Sequence, residues 1–280
     1  LYSLYTSLSL KPSPDTVPFF SFVTDFLLQS KKFNEFITLE LSLAQYSISN
    51  NNLEDGMFHI TNAIKVFVDI VGTDKTKFEI NEKTARRITS LFVNVGLSPS
   101  TKEAITLWAK YLSTQSAESA VAWNNLNTLI SIMLKSNACE NAGELLVNLF
   151  EKSPQIESKG YFESILKTTE TVAQECVRRN KEVGFKLFDL LVSLARDMPK
   201  VKNYFNSIIA PIERGIYTPM AYQIFLNRRD KFKPVFLSEP KLRQRFAKAL
   251  GKAIRTADEQ VKFVINEIIE SYDVATDEMT

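Results

Sequence analysis

The chain has 280 residues, 45% of them hydrophobic and 24% charged, with a formal net charge of +2. That composition supports a large buried core and excludes a disordered chain, and a near-neutral total excludes polyanion binding by bulk charge alone. Eight glycines, one histidine and two cysteines leave no glycine-rich phosphate loop, no nucleophile with its imidazole, no histidine-based metal motif and no disulfide framework.

Residues 1–16 read as an N-terminal extension, and a start at Leu1 rather than methionine is the expectation for an excised fragment or a mature form. From Val17 onward apolar residues recur at intervals of three and four, as in FFSFVTDFLL and FKLFDLLVSLA, and strict alternation is nowhere sustained. This period predicts helices at 17–29, 33–48, 54–71, 80–95, 99–114, 119–136 and 139–152, then at 157–178, 181–197, 200–214, 218–230, 239–256 and 258–272. Asp15 or Thr16 can cap the first, Ser98 with Pro99 opens the fifth, and Pro199 punctuates near the tenth. His59, in MFHITNAIKVF, sits at helical spacing and reads as a packed or rim histidine rather than a catalytic one. Trp108 and Trp123 lie on apolar faces and are expected between helices. Cys139 and Cys176 form no CxxC and read as buried thiols of a reducing compartment. The longest apolar runs, such as LLVNLF and FVDIV, stop well short of the roughly 18 residues that a membrane span needs. Carboxylates are scattered along amphipathic faces, so no catalytic residue, metal or cofactor is expected, and the chain does not read as an enzyme.

Short connections such as SKK, VGLSP and RRNKEV predict antiparallel helix pairs. The pairs repeat. SFVTDFLLQSKKFNEF from Ser21 lies over TSLFVNVGLSPSTKEA from Thr89 and NTLISIMLKSNACENA from Asn127, and FESIL around Glu163 and FNSII around Asn206 restate the opening. A unit of about 35 residues made of two helices cannot bury its apolar face alone and must stack on its neighbours. The expectation is an all-α chain built as an α-solenoid over 17–257, with Ala104 and Ala142 at close helix contacts and 258–280 as a last helix with an acidic tail.

NTLISIMLKSNACENAGELL resembles the pentatricopeptide repeat, with an NTLI-like start, a short turn and a small residue followed by leucines on the second helix. PDTVPFFSFVTDFLLQSKKFNEF resembles it as well, although Phe36 stands where the second helix of the family carries a small residue, and the long helix at 54–71 reads as an insertion. The closely related tetratricopeptide repeat has a similar length. The resemblance implies a divergent organellar protein of fungal type, acting in the mitochondrial matrix, with the cytoplasm as the alternative, on RNA stability, processing or translation. Its partners would be single-stranded RNA and the ribosome or translation machinery. In such repeats one polar residue near the start of each first helix contacts one base, and the matching positions are Ser21, Thr89, Asn127, Glu163 and Asn206. The bland alternative is that these residues are caps or solvated surface. The other functional class is a tetratricopeptide-like scaffold that holds a peptide or partner subunit, anchored by the chain's many aromatics.

Charge is segregated. Residues 199–257 are strongly basic, and Arg228, Arg229, Lys231, Lys233, Lys241, Arg243, Arg245, Lys248, Lys252 and Arg255 are the candidates for contacts with an RNA backbone. Positions 241, 245, 248, 252 and 255 fall on one helical stripe. The alternative is a solvated face, or a stripe paired with the acidic tail.

Overall fold

A computed structural model describes residues 16–73, 82–215 and 219–279. Most of the expected N-terminal extension, Asp15 included, lies outside the described residues. All the regular structure among them is helical, in fourteen α-helices: α1 (Val17–Gln29), α2 (Phe33–Ser49), α3 (Leu53–Thr73), α4 (Glu82–Val95), α5 (Lys102–Gln115), α6 (Ala120–Lys135), α7 (Cys139–Lys152), α8 (Phe162–Arg178), α9 (Glu182–Leu194), α10 (Met198–Glu213), α11 (Pro219–Asn227), α12 (Arg229–Ser238), α13 (Pro240–Thr256) and α14 (Glu259–Tyr272). Short 3₁₀ turns follow α7 and α14.

The periodicity located thirteen of these helices and missed α12. Its sequence, RDKFKPVFLS, hides a short apolar face behind charges and Pro234. Phe232, Val235 and Phe236 are all buried, and that burial offsets the backbone hydrogen bond lost at the proline. The fifth helix also starts later than expected. Ser98 and Pro99 belong to the preceding turn, where the Ser98 amide donates to Thr101 Oγ1 at 2.7 Å. Thr16 stands at the N-cap of α1 without a side-chain capping bond, whereas Asp197 caps α10 by accepting from the Lys200 amide at 2.8 Å.

The chain divides into two compact units, Leu1–Asn137 and Ala138–Thr280, so the boundary falls inside the SNACEN turn. In the first, α2 pairs most extensively with α3, α2 and α6 both pack on α4, and α5 packs on α3 and α6. The helix expected as an insertion is therefore the second member of a hairpin, with Gly56 in the place of the small residue. In the second unit α8 pairs with α9; α7, α9, α11 and α14 pack in sequence as one layer, and α8, α10 and α13 as the other, with α12 against α10 and α13.

A backbone signature marks the repeat. Each even-numbered helix from α2 to α10 ends on a left-handed residue: Asn51, Gly96, Asn137, Asn180 and Gly215, with φ of 60°, 70°, 62°, 57° and 89°. Asparagine and glycine are the residues that tolerate this conformation, which ends the helix and turns the chain; after α2 and after α8 the next helix folds back onto it. The second helix then approaches closely. A Cβ on Gly184 would stand 2.7 Å from the Val177 backbone nitrogen, so only glycine fits where α9 crosses the end of α8. Ala104 and Ala142 are buried at the starts of α5 and α7.

Trp108 and Trp123 are fully buried, as their apolar faces predicted. His59 is packed between α2 and α3, its Nδ1 2.9 Å from Glu40 Oε2 and its Nε2 3.7 Å from Asp55 Oδ1. Cys139 and Cys176 are buried free thiols, and Cys176 Sγ donates to the Cys139 carbonyl at 3.1 Å. The core of the second unit is aromatic: Phe246 lies 5.2 Å from Phe205, 4.6 Å from Phe225, 5.8 Å from Phe236 and 5.6 Å from Tyr272, ring centre to ring centre.

Candidate nucleic-acid interface

Burial gives the register of the first helices directly. The buried residues of α6 from Asn125 to Met133 each have a buried counterpart 79 positions on in α10, from Tyr204 to Ile212. Forty positions on, α8 buries Ile165, Thr169, Val172 and Ala173 at matching places. The solvent faces then align as well. Asn124, Asn127, Thr128 and Ser131 of α6 correspond to Ser164, Lys167, Thr168 and Thr171 of α8 and to Asn203, Asn206, Ser207 and Ala210 of α10, all exposed or half-buried. Their backbone ties match too: Ser131 Oγ donates to the Asn127 carbonyl and Thr171 Oγ1 to the Lys167 carbonyl, both at 3.0 Å. Thr128 Oγ1 and Ser207 Oγ likewise donate at 3.0 Å to the Asn124 and Asn203 carbonyls.

In this register Asn127 and Asn206 are equivalent, and the counterpart between them is Lys167, not Glu163. Matching FESIL to FNSII shifted α8 by about one turn, because both strings hold a phenylalanine, a serine and a following apolar pair. The clue available in the sequence was the spacing of the buried set. These positions also lie in mid-helix rather than near a helix start, since α6 and α10 begin at Ala120 and Met198.

Thr89 departs from expectation. It is only 4% exposed, and its Oγ1 accepts a hydrogen bond from Trp108 Nε1 at 3.1 Å, so it belongs to the core between α4 and α5. A threonine facing a tryptophan satisfies the indole donor, a need that outranks solvent exposure at this position. Ser21 falls within α1, but its side chain lies outside the described part. Asn206 is held from both sides: Nδ2 donates to the Lys202 carbonyl at 3.1 Å, and Oδ1 accepts from Arg245 Nη1 at 2.8 Å.

Glu163 is exposed and lines a cavity of about 410 Å³ between the starts of α8 and α10 and the end of α9. Its carboxylate stands 3.8 Å from Lys200 Nζ, and Glu157 stands 3.6 Å from Arg196 across the same opening. Leu166, Leu191 and Leu194 form the apolar wall. Tyr204 also lines the cavity, and burial, with the charges of Glu170, Asp197 and Glu163, pushes its phenol up to about 12.

Most of the candidate phosphate-binding cations are tied within the protein. Arg228 donates to both oxygens of Asp189 at 2.8 and 2.7 Å. Lys231 Nζ donates to the Ser193 and Ala195 carbonyls at the end of α9, at 2.6 and 2.7 Å, and its burial there beside Arg228 lowers its pKa. Arg229 and Lys233 donate to the Ser271 carbonyl at the end of α14, at 3.1 and 3.0 Å, and Lys252 donates to the Glu213 carbonyl at the end of α10 at 3.1 Å. These are cations on the negative ends of helices, where the last carbonyls lack intrahelical partners. Arg245 grips both oxygens of Glu213 at 3.0 and 2.9 Å. The acidic tail occupies the rest. Glu278 lies 2.8 Å from Arg243 Nε, Asp273 accepts from Lys233 at 2.7 Å, and Arg255 reaches the Met279 carbonyl at 3.5 Å. Of the ten, only Lys241 and Lys248 have no partner among the described residues.

Among the described residues no three metal-ligating side chains gather, and no helix is long and apolar enough to cross a membrane. No family model matches the chain, and no curated protein matches it.

Proposed function

We propose that this chain is a helical-repeat protein that binds single-stranded RNA along the solvent faces of its first helices, in the service of organellar RNA stability, processing or translation in mitochondria. The observation that carries this reading is the recurrence, at steps of 40 and 39 residues, of a face built mostly from short amides and hydroxyls: Asn124, Asn127, Thr128 and Ser131, then Ser164, Thr168 and Thr171 around the one cation Lys167, then Asn203, Asn206 and Ser207. A surface that serves only solubility is normally dominated by Lys and Glu. Short amides and hydroxyls instead both donate and accept, which suits the Watson–Crick edges of unstacked bases. A face of this kind recurs once per repeat along the chain, the pattern that a polymer of similar units calls for. Glu163 adds an acceptor at the neighbouring cavity, suited to an exocyclic amine.

Electrophoretic retardation with pooled single-stranded RNA at stated salt tests the reading. Retardation is expected, and Asn127→Ala with Lys167→Ala is expected to weaken the selected RNA by roughly 1–3 kcal/mol per position while thermal stability stays put. Absence of retardation, or equal weakening on every RNA, overturns it.

A further inference from the structure

The second helices of the Ala138–Thr280 unit carry a groove of their own, of about 250 Å³. Its floor is the buried pair Phe185 of α9 and Ile224 of α11, and its walls are Val147 of α7, Leu190 of α9 and Met220 of α11. Two carboxamides, Gln223 and Asn227, stand side by side at the rim on α11, with Gln223 Nε2 donating to Asn227 Oδ1 at 3.3 Å. Asp189, also at the rim, is neutralised by its two-point contact with Arg228. That leaves Glu151 on α7 and Lys186 on α9, which are exposed and have no partner among the described residues.

We propose that this groove holds an extended segment of a partner protein, with one large apolar side chain seated on Phe185 and Ile224, an acidic residue against Lys186 and a basic residue against Glu151. Three features favour that occupant. The volume suits one or two side chains and falls below the range of about 300–1,000 Å³ typical of small-molecule pockets. The paired carboxamides match the donor and acceptor of a peptide bond, groups that an extended strand offers and a helix does not. The two unpartnered charges are of opposite sign, which a nucleic-acid strand, negative throughout, cannot satisfy. The groove is made by second helices only, so it is separate from the first-helix faces assigned to RNA.

The test selects random linear peptides on the full chain, counter-selects on the Met220→Arg chain, and measures the enriched sequence by fluorescence anisotropy. An apolar anchor with an acid on one side and a base on the other is expected. Lys186→Glu, at an exposed position that leaves folding intact, weakens it roughly fivefold or more, and exchanging the peptide's acid for lysine restores binding to that variant. RNA retardation by Lys186→Glu stays unchanged, so this site and the RNA reading fail independently. If no peptide separates the parent chain from Met220→Arg, or if Lys186→Glu leaves the affinity of the enriched peptide unchanged, the proposal is overturned. Should Met220→Arg fail to fold, the charge exchange at Lys186 decides alone.

Discussion

The two units solve the same packing problem by different means. Nine of the eleven buried polar residues among the described ones lie in the first unit, including Glu40, Ser47, His59, Thr89 and Asn125, and only Ser153 and Thr169 lie in the second. The first unit fixes the register of its helices chiefly from inside, with directional bonds from Glu40 to His59, Trp108 to Thr89 and Ser47 to Asp55, and has an outer cationic tie, from Arg87 to the Thr38 carbonyl and Ser42. The second unit has a mostly apolar, aromatic interior, with buried bonds from Cys176 to the Cys139 carbonyl and from Tyr272 to the Phe225 carbonyl, and adds an outer set of ties, cations thrown from one repeat to the next. Lys231 reaches back 36 and 38 residues, Arg228 and Lys252 39, and Arg245 32 and 39. The comparison shows that the basic segment of this chain is first of all a set of structural ties.

The largest effect should come from the aromatic interior. Phe246 is fully buried against four rings, and Phe246→Ala removes those contacts and leaves a cavity that rigid neighbours cannot fill. A loss of about 3–5 kcal/mol in the unfolding of the second unit is expected by denaturant titration. A loss under about 1 kcal/mol would show that this interior is loosely packed and that the peripheral ties carry the unit instead.

The first unit is tested at Glu40. Glu40→Ala deprives His59 Nδ1 of its partner at a site that is nearly closed to water. About 2–3 kcal/mol of destabilisation is expected, from an unsatisfied polar group together with lost packing. In the double variant with His59→Ala the two losses should overlap, because removing both partners leaves nothing unpaired. Additive losses would mean that the pair does not set the register and that the comparison between units is wrong on this side.

Helix placement was legible because a 3.6-residue period survives in nearly every segment, and the failures have local causes. The α12 segment has only three buried apolar residues among ten, with a proline in the middle, so burial rather than propensity decides it. The repeat was legible at Asn127 and Asn206, where short polar residues flank the same buried pattern. It was misread at Thr89, because a threonine looks the same in sequence whether it faces water or an indole. It was misread at α8 because FES and FNS look alike while the buried set lies a turn away. The pairing of the basic segment with the acidic tail was legible as an alternative, and Arg243 with Glu278 and Lys233 with Asp273 make it, whereas the ties to helix ends and to Asp189 and Glu213 were not. Those ties join residues more than thirty apart, and no local pattern separates a lysine over a helix end from one in solvent.

A smaller effect is expected where the acidic tail seats on α13. A Cβ on Gly251 would collide with the Met279 carbonyl oxygen, so Gly251→Ala must lift the tail, at a cost of about 1–2 kcal/mol. Acid should do the same reversibly. Hydrogen bonding to Lys233 holds Asp273 below the ordinary carboxylate range, and hydrogen bonding to Arg243 does so for Glu278. A carboxyl depressed in the folded state stabilises above its unfolded value of about 4 and loses that contribution as pH falls through the folded value. Exchange of the Glu278 amide, bonded to the Ala275 carbonyl at 3.0 Å, should therefore lose its protection relative to the intrinsic rate at each pH as acid protonates these carboxylates in the parent chain. In Gly251→Ala it should already be fast at neutral pH. Exchange indifferent to both changes would detach the tail from the outer ties.

The smallest effect is the most direct measure of how far those ties would compete with the RNA proposed above. If every cation of the α13 stripe touched phosphate, each would contribute about 0.7 to the slope of log affinity against log salt on single-stranded RNA. The structure divides the stripe into two groups. Lys241 and Lys248 are exposed and have no partner among the described residues, whereas Arg245 and Lys252 are held on Glu213 and the end of α10. Replacing Lys241 and Lys248 by glutamine should therefore flatten the slope by up to about 1.4, with thermal stability unchanged. Replacing Arg245 and Lys252 should change the slope by less than about 0.7 and cost up to about 1 kcal/mol of stability, because an ion pair this exposed is strongly screened. A slope that falls equally for both pairs would mean that Arg245 and Lys252 leave Glu213 for phosphate when RNA binds, so that the outer ties of the second unit are a resting arrangement and not the final one.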